Sequence, residues 1–285
     1  MAVLLMLAAA CTGDKPEFKT ETRHYEGSTE HATLTIDAEL PVATTEGSAV
    51  MRQTLVDVMD NALSRIDSYA KKRYFPRFEG DVNDTDALFE YYEKQSLDEI
   101  GALAQEMCDE RAQGILESET LTDEEKDKYL DDMPGWGFEF NLKKVYETPT
   151  YVVFDSQNYI YMGGAHGGIV GAGPMTFDKK SGMRIRDFFE PGSEEGMQEL
   201  LRSGMAEYFR ERMDDTDTVL EDHLQLDGKP IPLPKWAPCP TEDGLKLIYQ
   251  QYEVAAYAAG MPEFVLPYKE VAQFLLPEAR KDLGL

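Results

Sequence analysis

The sequence predicts an α+β fold with mixed or antiparallel sheets, packed helices and two small subdomains. Three observations support this prediction. One strand-like segment is followed by two long amphipathic helices, and the chain then becomes rich in Phe, Tyr and Val from Gly135 onward. Strands and helices also do not alternate regularly, as they would in a doubly wound parallel sheet. The length of 285 residues and the apolar fraction of 42% allow one large or two small domains.

The first half of the chain predicts one strand and two long helices. Residues 32–43 alternate apolar and polar side chains, the period of a half-buried strand, until Pro41. Residues 48–73 place apolar side chains three and four positions apart, which predicts a helix that Ser48 caps. A second helix is predicted over residues 84–114 and a short helical turn over residues 121–130. The apolar stripe of the first helix consists of Met51, Leu55, Met59, Ala62, Ile66 and Tyr69.

The second half predicts strands interrupted by one helix. Residues 135–162 read as two or three strands with a turn at residues 147–149. A hairpin is predicted around the turn at residues 178–182, and a helix from Ser193 to about Met213. The remainder predicts a proline-rich surface segment, one or two strands, and a last strand with a short helix, over residues 226–240, 244–260 and 263–275.

The N-terminus predicts export. Residues 1–10 are interpreted as a signal peptide, because their apolar stretch is far shorter than the ~20 residues that span a bilayer. The residues before Cys11 resemble a bacterial lipobox, in which the cysteine is lipidated, although a basic n-region is missing. Residues 11–31 would then be a lipid-anchored tether. We therefore expect a location in the bacterial cell envelope, in the periplasm or at the outer-membrane surface; the alternative is a cytosolic protein with an apolar N-terminus.

The change of composition near residue 134 predicts a domain boundary. We expect an N-terminal α+β domain over residues 32–133 and a C-terminal α+β domain over residues 134–285. The three cysteines leave Cys108 and Cys239 as a possible disulfide pair in an exported chain, which sequence alone does not decide.

The net charge of −26 limits the classes of partner. A negative field of this size repels nucleic-acid phosphates and anionic lipid headgroups, so we expect no nucleic acid and contact with a membrane only through the N-terminal lipid. The same field attracts a cationic protein. Residues 79–132 hold most of the excess, with 19 acidic and 4 basic residues.

The stretch "YMGGAHGG", residues 161–168, is the strongest candidate for a functional site, because its histidine lies among glycines. A GxSxG nucleophile motif and zinc-ligand spacings are absent, so we assign no catalytic residue, metal or cofactor. We expect the imidazole of His166 to hold a tight turn. The alternatives are ligand contact and an envelope hydrolase site in which this histidine acts with Asp155, Asp178 or Asp187.

Two acidic segments and a set of aromatic residues are further candidate sites. Residues 81–87 lack the glycine and glutamate of an EF-hand loop, so we interpret Asn83, Asp84 and Asp86 as a helix cap. The acidic residues Asp214, Asp215 and Asp217 are interpreted as a solvated helix end. Exposed aromatic rings could stack on sugars, although burial in the core is the more common outcome; the candidates are Tyr91, Tyr92, Trp136, Tyr159, Tyr161 and Trp236.

Residues 150–280 resemble the RsiV-like C-terminal domain family of bacterial lipoproteins. The resemblance depends on "YMGGAHGG", "MTFDKKSGMRIRDFFEPG" and "YEVAAYAAGMPEFVLPYKEVAQFL". Residues 30–130 are more loosely similar to the N-terminal partner domain found in RsiV and in the deacetylase PdaC. The resemblance implies an extracytoplasmic binding domain, since its relatives include a lysozyme receptor and a peptidoglycan deacetylase whose catalytic domain is separate.

We therefore expect a non-enzymatic lipoprotein that binds a cell-envelope partner, either a lysozyme-like protein or a peptidoglycan glycan. An envelope hydrolase or deacetylase-associated protein and a structural or assembly lipoprotein are the alternatives. The expected ligand contacts are Tyr161, Gly163, Gly164, His166 and Asp178, with lipid on Cys11.

Overall fold

The computed structural model describes residues 18–67, 72–163, 167–213 and 219–285. It confirms the predicted α+β class, with seven helices and mixed sheets among the described residues. The predicted signal peptide, Cys11 and the first part of the predicted tether lie outside them. In the part of the chain that is described, no helix carries an apolar stretch of the length needed to cross a bilayer.

A six-stranded sheet runs through the molecule in the order β1-β2-β5-β6-β7-β8. The β2–β5 pair is parallel and the other neighbours are antiparallel. The parallel pair arises because two long helices cross over between β2 and β5. The strands are β1 Thr20–Ser28, β2 Ala32–Pro41, β5 Trp136–Glu147, β6 Tyr151–Met162, β7 Gly168–Asp178 and β8 Arg184–Ile185.

Two core helices and a small hairpin form the crossover. The two core helices are α1 Glu46–Leu63 and α2 Thr85–Leu116. A third, shorter helix, α3 Asp123–Asp131, follows them and has no buried residue. The hairpin pairs β3 Arg65–Asp67 with β4 Lys72–Tyr74. The predicted helix over residues 48–73 is therefore too long. No Gly or Pro lies directly after Leu63 to mark the end of the helix. The spacing of apolar residues alone therefore extended the predicted helix to residue 73.

Caps fix the starts of these helices. Thr45, not Ser48, is the N-cap of α1; Ser48 completes a capping box, in which each side chain accepts a hydrogen bond from the other residue's backbone N–H. The prediction at α2 is confirmed for Asp84, whose side chain accepts from the backbone N–H of Ala87 at 3.1 Å. The Asp81 carboxylate accepts from Asn83 and so stabilises the preceding turn.

The tether prediction is wrong for its described end, because residues 20–28 form the edge strand β1. Nine polar or small residues pair along their whole length with β2, so backbone hydrogen bonds create a strand that side-chain periodicity does not show. The predicted boundary near residue 134 falls just before β5. The two predicted units therefore share one sheet.

The C-terminal part packs on the opposite face of that sheet. Along β6, Val152 and Phe154 lie in the core beneath α1 and α2, while Tyr151 lies in a second core. The second core is formed by α4 and a three-stranded sheet in the order β11-β10-β9. Its elements are α4 Gln198–Met213, α5 Leu220–His223, β9 Cys239–Pro240, β10 Gly244–Ile248, β11 Glu263–Pro267, α6 Tyr268–Val271 and α7 Pro277–Asp282. The helix predicted from Ser193 begins five residues later.

Candidate functional site

The glycine stretch turns the chain between β6 and β7. Gly164 and His166, two of the predicted site residues, lie outside the described residues. Gly163 has φ +57°, and a Cβ there would lie 2.8 Å from the carbonyl oxygen of Pro134. Glycine is therefore required at this position for both its backbone angle and its close packing.

Two exposed tyrosines, Tyr159 and Tyr257, meet at Gly167, and the ring of a third, Tyr252, packs beside that of Tyr257. We call Tyr159, Tyr252 and Tyr257 the tyrosine surface. Tyr159 comes from β6, whereas Tyr252 and Tyr257 come from the segment between β10 and β11. The Tyr257 hydroxyl donates to the carbonyl oxygen of Gly167 at 3.1 Å. Any Cβ at Gly167 would overlap the Tyr159 hydroxyl. The glycine thus lets two side chains from distant parts of the sequence approach one point of the backbone.

The rings of this surface remain open to solvent. Tyr252 is 71% exposed, Tyr257 38% and Tyr159 37%. The rings of Tyr252 and Tyr257 are tilted by 34° with centroids 5.7 Å apart. Large exposed aromatic side chains that cluster are unusual on a protein surface and mark contact sites.

Tyr252 is held outward by its own backbone. It is one of two non-glycine residues with positive φ among those described, at +64°. The Glu253 carboxylate stabilises this turn by accepting from the backbone N–H groups of Gln250 at 2.8 Å and Lys235 at 2.6 Å. A bulky residue in the left-handed region costs about 1–3 kcal/mol, which the surrounding hydrogen bonds offset. Such strain is typical of residues positioned for contact.

The predicted contact Tyr161 lies beside this surface. It is half-buried and two residues along β6 from Tyr159, so both side chains leave the same face of the sheet. On β5 the residues opposite them are Gly137 and the exposed Glu139. The tyrosine surface and these neighbouring residues therefore offer aromatic rings, phenol hydroxyls and a carboxylate. None of them is basic.

The structure does not bring Asp178 to the glycine stretch. It ends β7, ten residues from Gly168, which is roughly 33 Å along a strand. Its Oδ1 accepts from the backbone N–H of Ser181 at 2.7 Å and from the Ser181 hydroxyl at 2.6 Å, so it closes the β7–β8 turn. The predicted hairpin turn is confirmed, and the side chain that we expected to bind ligand stabilises it.

The structure does not bring Asp155 and Asp187 together at one site either. One oxygen of Asp155 accepts from Gln157 at 3.0 Å, while the other is buried with no partner among the described residues. Desolvation raises the pKa of this carboxyl, against smaller opposing effects of the Gln157 hydrogen bond and the Lys246 charge. Asp187 instead lines a cleft of about 520 Å³ beside the proline-rich segment. A hydrolase site built from these aspartates is not assembled in the described structure.

The other histidines and the cysteines have structural surroundings. His24 hydrogen bonds Asp37 at 2.7 Å, which raises its pKa, and His223 stacks on Phe209. Cys108 and Cys239 are both buried free thiols, so they are not paired. Burial raises the pKa of Cys239 to about 12.

Within residues 18–67, 72–163, 167–213 and 219–285, no three His, Cys, Asp or Glu side chains are grouped to hold a metal ion. Asp214, Asp215 and Asp217 lie outside those ranges.

Of the six aromatic candidates, Tyr92 and Trp136 are buried, and two members of the tyrosine surface were missed. Tyr92 and Trp136 lie in the first core, with Tyr91 packed against it, and Trp236 covers Gly173. The sequence predicts Tyr252 and Tyr257 in strands, whereas Tyr252 lies in a turn after β10 and Tyr257 begins a short 3-10 helix. The five-residue separation of these tyrosines, which fits neither a strand face nor a helix stripe, was the available signal.

Two family models match the chain. The model described as "Deacetylase PdaC" matches residues 28–168, and "Protein of unknown function (DUF3298)" matches residues 186–269. The first match confirms a PdaC-type domain, and the second falls within the region that we expected to be RsiV-like. No curated protein sequence matches the chain significantly.

Solved structures share the fold over nearly the whole chain. A DUF3298 family protein from Pseudomonas aeruginosa PAO1 is 18% identical, with a TM-score of 0.52, over 93% of this chain and 97% of that one. A member of the same family from Bacteroides fragilis is 16% identical, with a TM-score of 0.62, over 94% of this chain and 98% of that one. At these identities the similarity establishes the fold alone.

Proposed function

We propose that this chain, which joins a PdaC-type segment to a DUF3298 segment, is a non-enzymatic binding module of the bacterial cell envelope that recognises peptidoglycan glycan strands. The observation that supports this most directly is the meeting of Tyr159 and Tyr257 at Gly167, with the exposed ring of Tyr252 beside that of Tyr257. The surface takes Tyr159 from the first matched segment and Tyr252 and Tyr257 from the second. It therefore exists only when both segments are present and packed together.

The chemistry of the surface suits a neutral glycan. Sugar rings have apolar C–H faces, which pack on aromatic rings, and hydroxyl edges, which hydrogen bond to phenols and carboxylates. A polyanionic ligand is disfavoured by the net charge of −26. The RsiV-like resemblance and the name of the PdaC family support an envelope glycan over other neutral sugars.

The position of the N-terminus fits display of this surface away from a membrane. The backbone N–H of Phe18 donates to the Glu147 carboxylate at 3.2 Å, at the end of the sheet where β5 finishes. The tyrosine surface lies near the other end of β6, which is roughly 36 Å long. Phe18 therefore joins the segment that leads back to Cys11 to the end of the sheet away from the tyrosines.

The test is binding to purified peptidoglycan and to soluble glycan-strand fragments. We expect Tyr252→Ala and Tyr159→Ala each to weaken binding about tenfold, as is typical of central aromatic contacts. Gly167→Ala should do the same by displacing the Tyr159 ring. Tyr129→Ala is the matched control, because this tyrosine is 46% exposed on α3 and outside the surface.

Two results would contradict this function. Unchanged binding in all three variants would remove the tyrosine surface as the site. Release of acetate or of sugar fragments by the wild-type protein during the same incubation would show an enzyme. The fold of each variant is checked by circular dichroism, so that loss of binding is not confused with unfolding.

A cationic, lysozyme-like protein is a second candidate partner, favoured by the acidic surface of α3. Its first turn carries Asp123, Glu124 and Glu125, and no residue of this helix is buried. In calorimetry against lysozyme, we expect binding at low salt that weakens at moderate salt, because screening reduces attraction between exposed charges. Asp123→Asn with Glu124→Gln should weaken it further. No binding at either salt concentration would exclude lysozyme as the partner.

A further inference from the structure

Four sulfur-containing side chains line one small cavity beside the glycine stretch. Met107, Cys108, Met133 and Met162 are four of the eight residues around an open cavity of about 130 Å³. The chain has 13 Met and 3 Cys among 285 residues, so an average set of eight residues would contain fewer than one of them. We call these four side chains the sulfur cluster. Their concentration is not explained by composition.

Three segments of the chain bring the sulfur cluster together. Met107 and Cys108 lie on α2, Met133 precedes β5, and Met162 ends β6. Met162 is paired across the sheet with Trp136, which also lines the cavity. The left-handed backbone of Gly163 packs against Pro134 and Trp136, which closes this end of the sheet onto α2. The cluster is therefore defined by tertiary structure and not by a local sequence motif.

The cavity is reachable, and its surroundings attract cations. Cys108 is 6% exposed, while the three methionines are half-buried. Residues 79–132, which carry two members of the cluster, hold 19 acidic and 4 basic residues. The basic residue Arg111 also lines the cavity, which disfavours multiply charged ions more than singly charged ones.

We propose that the sulfur cluster binds one Cu(I) ion. Thioether and thiolate sulfurs are soft ligands that select Cu(I) over the hard cations bound by carboxylates and water. Trp136 also lines the cavity, and an aromatic ring beside a desolvated monovalent cation attracts it. Two or three thioether sulfurs can coordinate the ion without any proton transfer.

Coordination by Cys108 would release one proton. The S–H bond breaks, the proton goes to solvent, and the sulfur lone pair forms the Cu–S bond, with copper remaining Cu(I) throughout. This site is separate from the tyrosine surface and does not depend on glycan binding.

The test is anaerobic titration of the full chain with Cu(I) against a chromophoric Cu(I) chelator. The double variant Met107→Leu, Met162→Leu should lose the one tightly bound Cu(I) equivalent. We expect it to compete with the chelator for Cu(I) at least tenfold less well than the wild-type protein. Met183→Leu is the matched control, because this methionine is 62% exposed in the β7–β8 turn, away from the cavity. Cys239→Ser is the control for Cys108→Ser, since both thiols are buried.

A second readout does not require variants that fold. In NMR of methionine-methyl-labelled protein, addition of Ag(I) as a diamagnetic substitute should shift the signals of Met107, Met133 and Met162 and leave that of Met183 unchanged. Equal Cu(I) binding by wild-type protein and the double variant, or methyl shifts confined to methionines outside the cluster, would overturn the proposal.

Discussion

Replacing Arg52 with alanine is expected to lower the free energy of unfolding by about 3–5 kcal/mol. This side chain is only 1% exposed. Its guanidinium donates to the Glu21 carboxylate at 2.5 Å and to the Thr85 hydroxyl at 2.8 Å. It also donates to the carbonyl oxygens of Val82 at 2.7 Å and Pro41 at 2.8 Å. One residue of α1 thus joins β1, the end of β2, the loop before α2 and α2 itself.

The large effect arises from the groups left behind. Without the guanidinium, the carbonyl oxygens of Val82 and Pro41 lose this donor, and each buried unsatisfied group costs about 1–3 kcal/mol. The Glu21 carboxylate, which is 37% exposed, still accepts from the Thr85 hydroxyl. Arg52→Lys should be intermediate, because an ammonium keeps the charge but cannot match the fork of the guanidinium. Urea denaturation with a circular dichroism readout measures both changes.

A matched control separates burial from charge. Arg77 forms an ion pair with Asp57, and both side chains are 45% exposed. Arg77→Ala is expected to cost at most about 1 kcal/mol, because solvent screens an exposed pair. Equal losses for Arg52→Ala and Arg77→Ala would show that the buried network does not stabilise the fold in this way.

The same network shows why β1 could not be predicted from the sequence while β2 could. In β2, Leu34, Ile36 and Leu40 alternate with polar residues and are buried, so the side-chain pattern and the structure agree. In β1 the residues are polar throughout, and the strand depends on backbone pairing with β2 and on the contact of Glu21 with Arg52. Contacts between residues 31 positions apart leave no periodic signal in either segment.

The candidate site was predictable only in part, for a related reason. The glycine stretch was recognisable because glycine at several positions implies a backbone that approaches other groups closely. Tyr257, which hydrogen bonds to Gly167, and its ring partner Tyr252 come from about 90 residues later in the sequence. Their positions depend on how the C-terminal part packs against the sheet, which local patterns do not encode.

Gly173→Ala is expected to disrupt the packing of the C-terminal part against the sheet. We expect it to lower the free energy of unfolding by about 2–5 kcal/mol. Gly173 has φ +64°, and a Cβ there would lie 2.5 Å from Cδ2 of Trp236. The left-handed backbone alone costs an alanine about 1–2 kcal/mol. Overlap with a packed ring adds about 1–3 kcal/mol. The substitution thus tests the contact between the sheet and the proline-rich segment.

Gly192→Ala provides the matched comparison. Gly192 also has positive φ, at +82°, but a Cβ there would meet no atom within 4 Å. Only the backbone cost of about 1–2 kcal/mol is expected. The difference between the two variants, measured by urea denaturation, therefore isolates the contact with Trp236. Equal losses would show that the ring moves aside freely.

The Gly173 variant should also weaken glycan binding, although Gly173 lies outside the tyrosine surface. Trp236 follows Lys235, whose backbone N–H donates to the Glu253 carboxylate that stabilises the Tyr252 turn. Displacement of the indole would shift this turn relative to Gly167 and separate the tyrosines. We expect a loss of binding in Gly173→Ala, wild-type binding in Gly192→Ala, and partial recovery when Trp236→Ala is added to Gly173→Ala. Full binding by Gly173→Ala in a folded protein would contradict a surface that depends on the contact between β7 and the proline-rich segment.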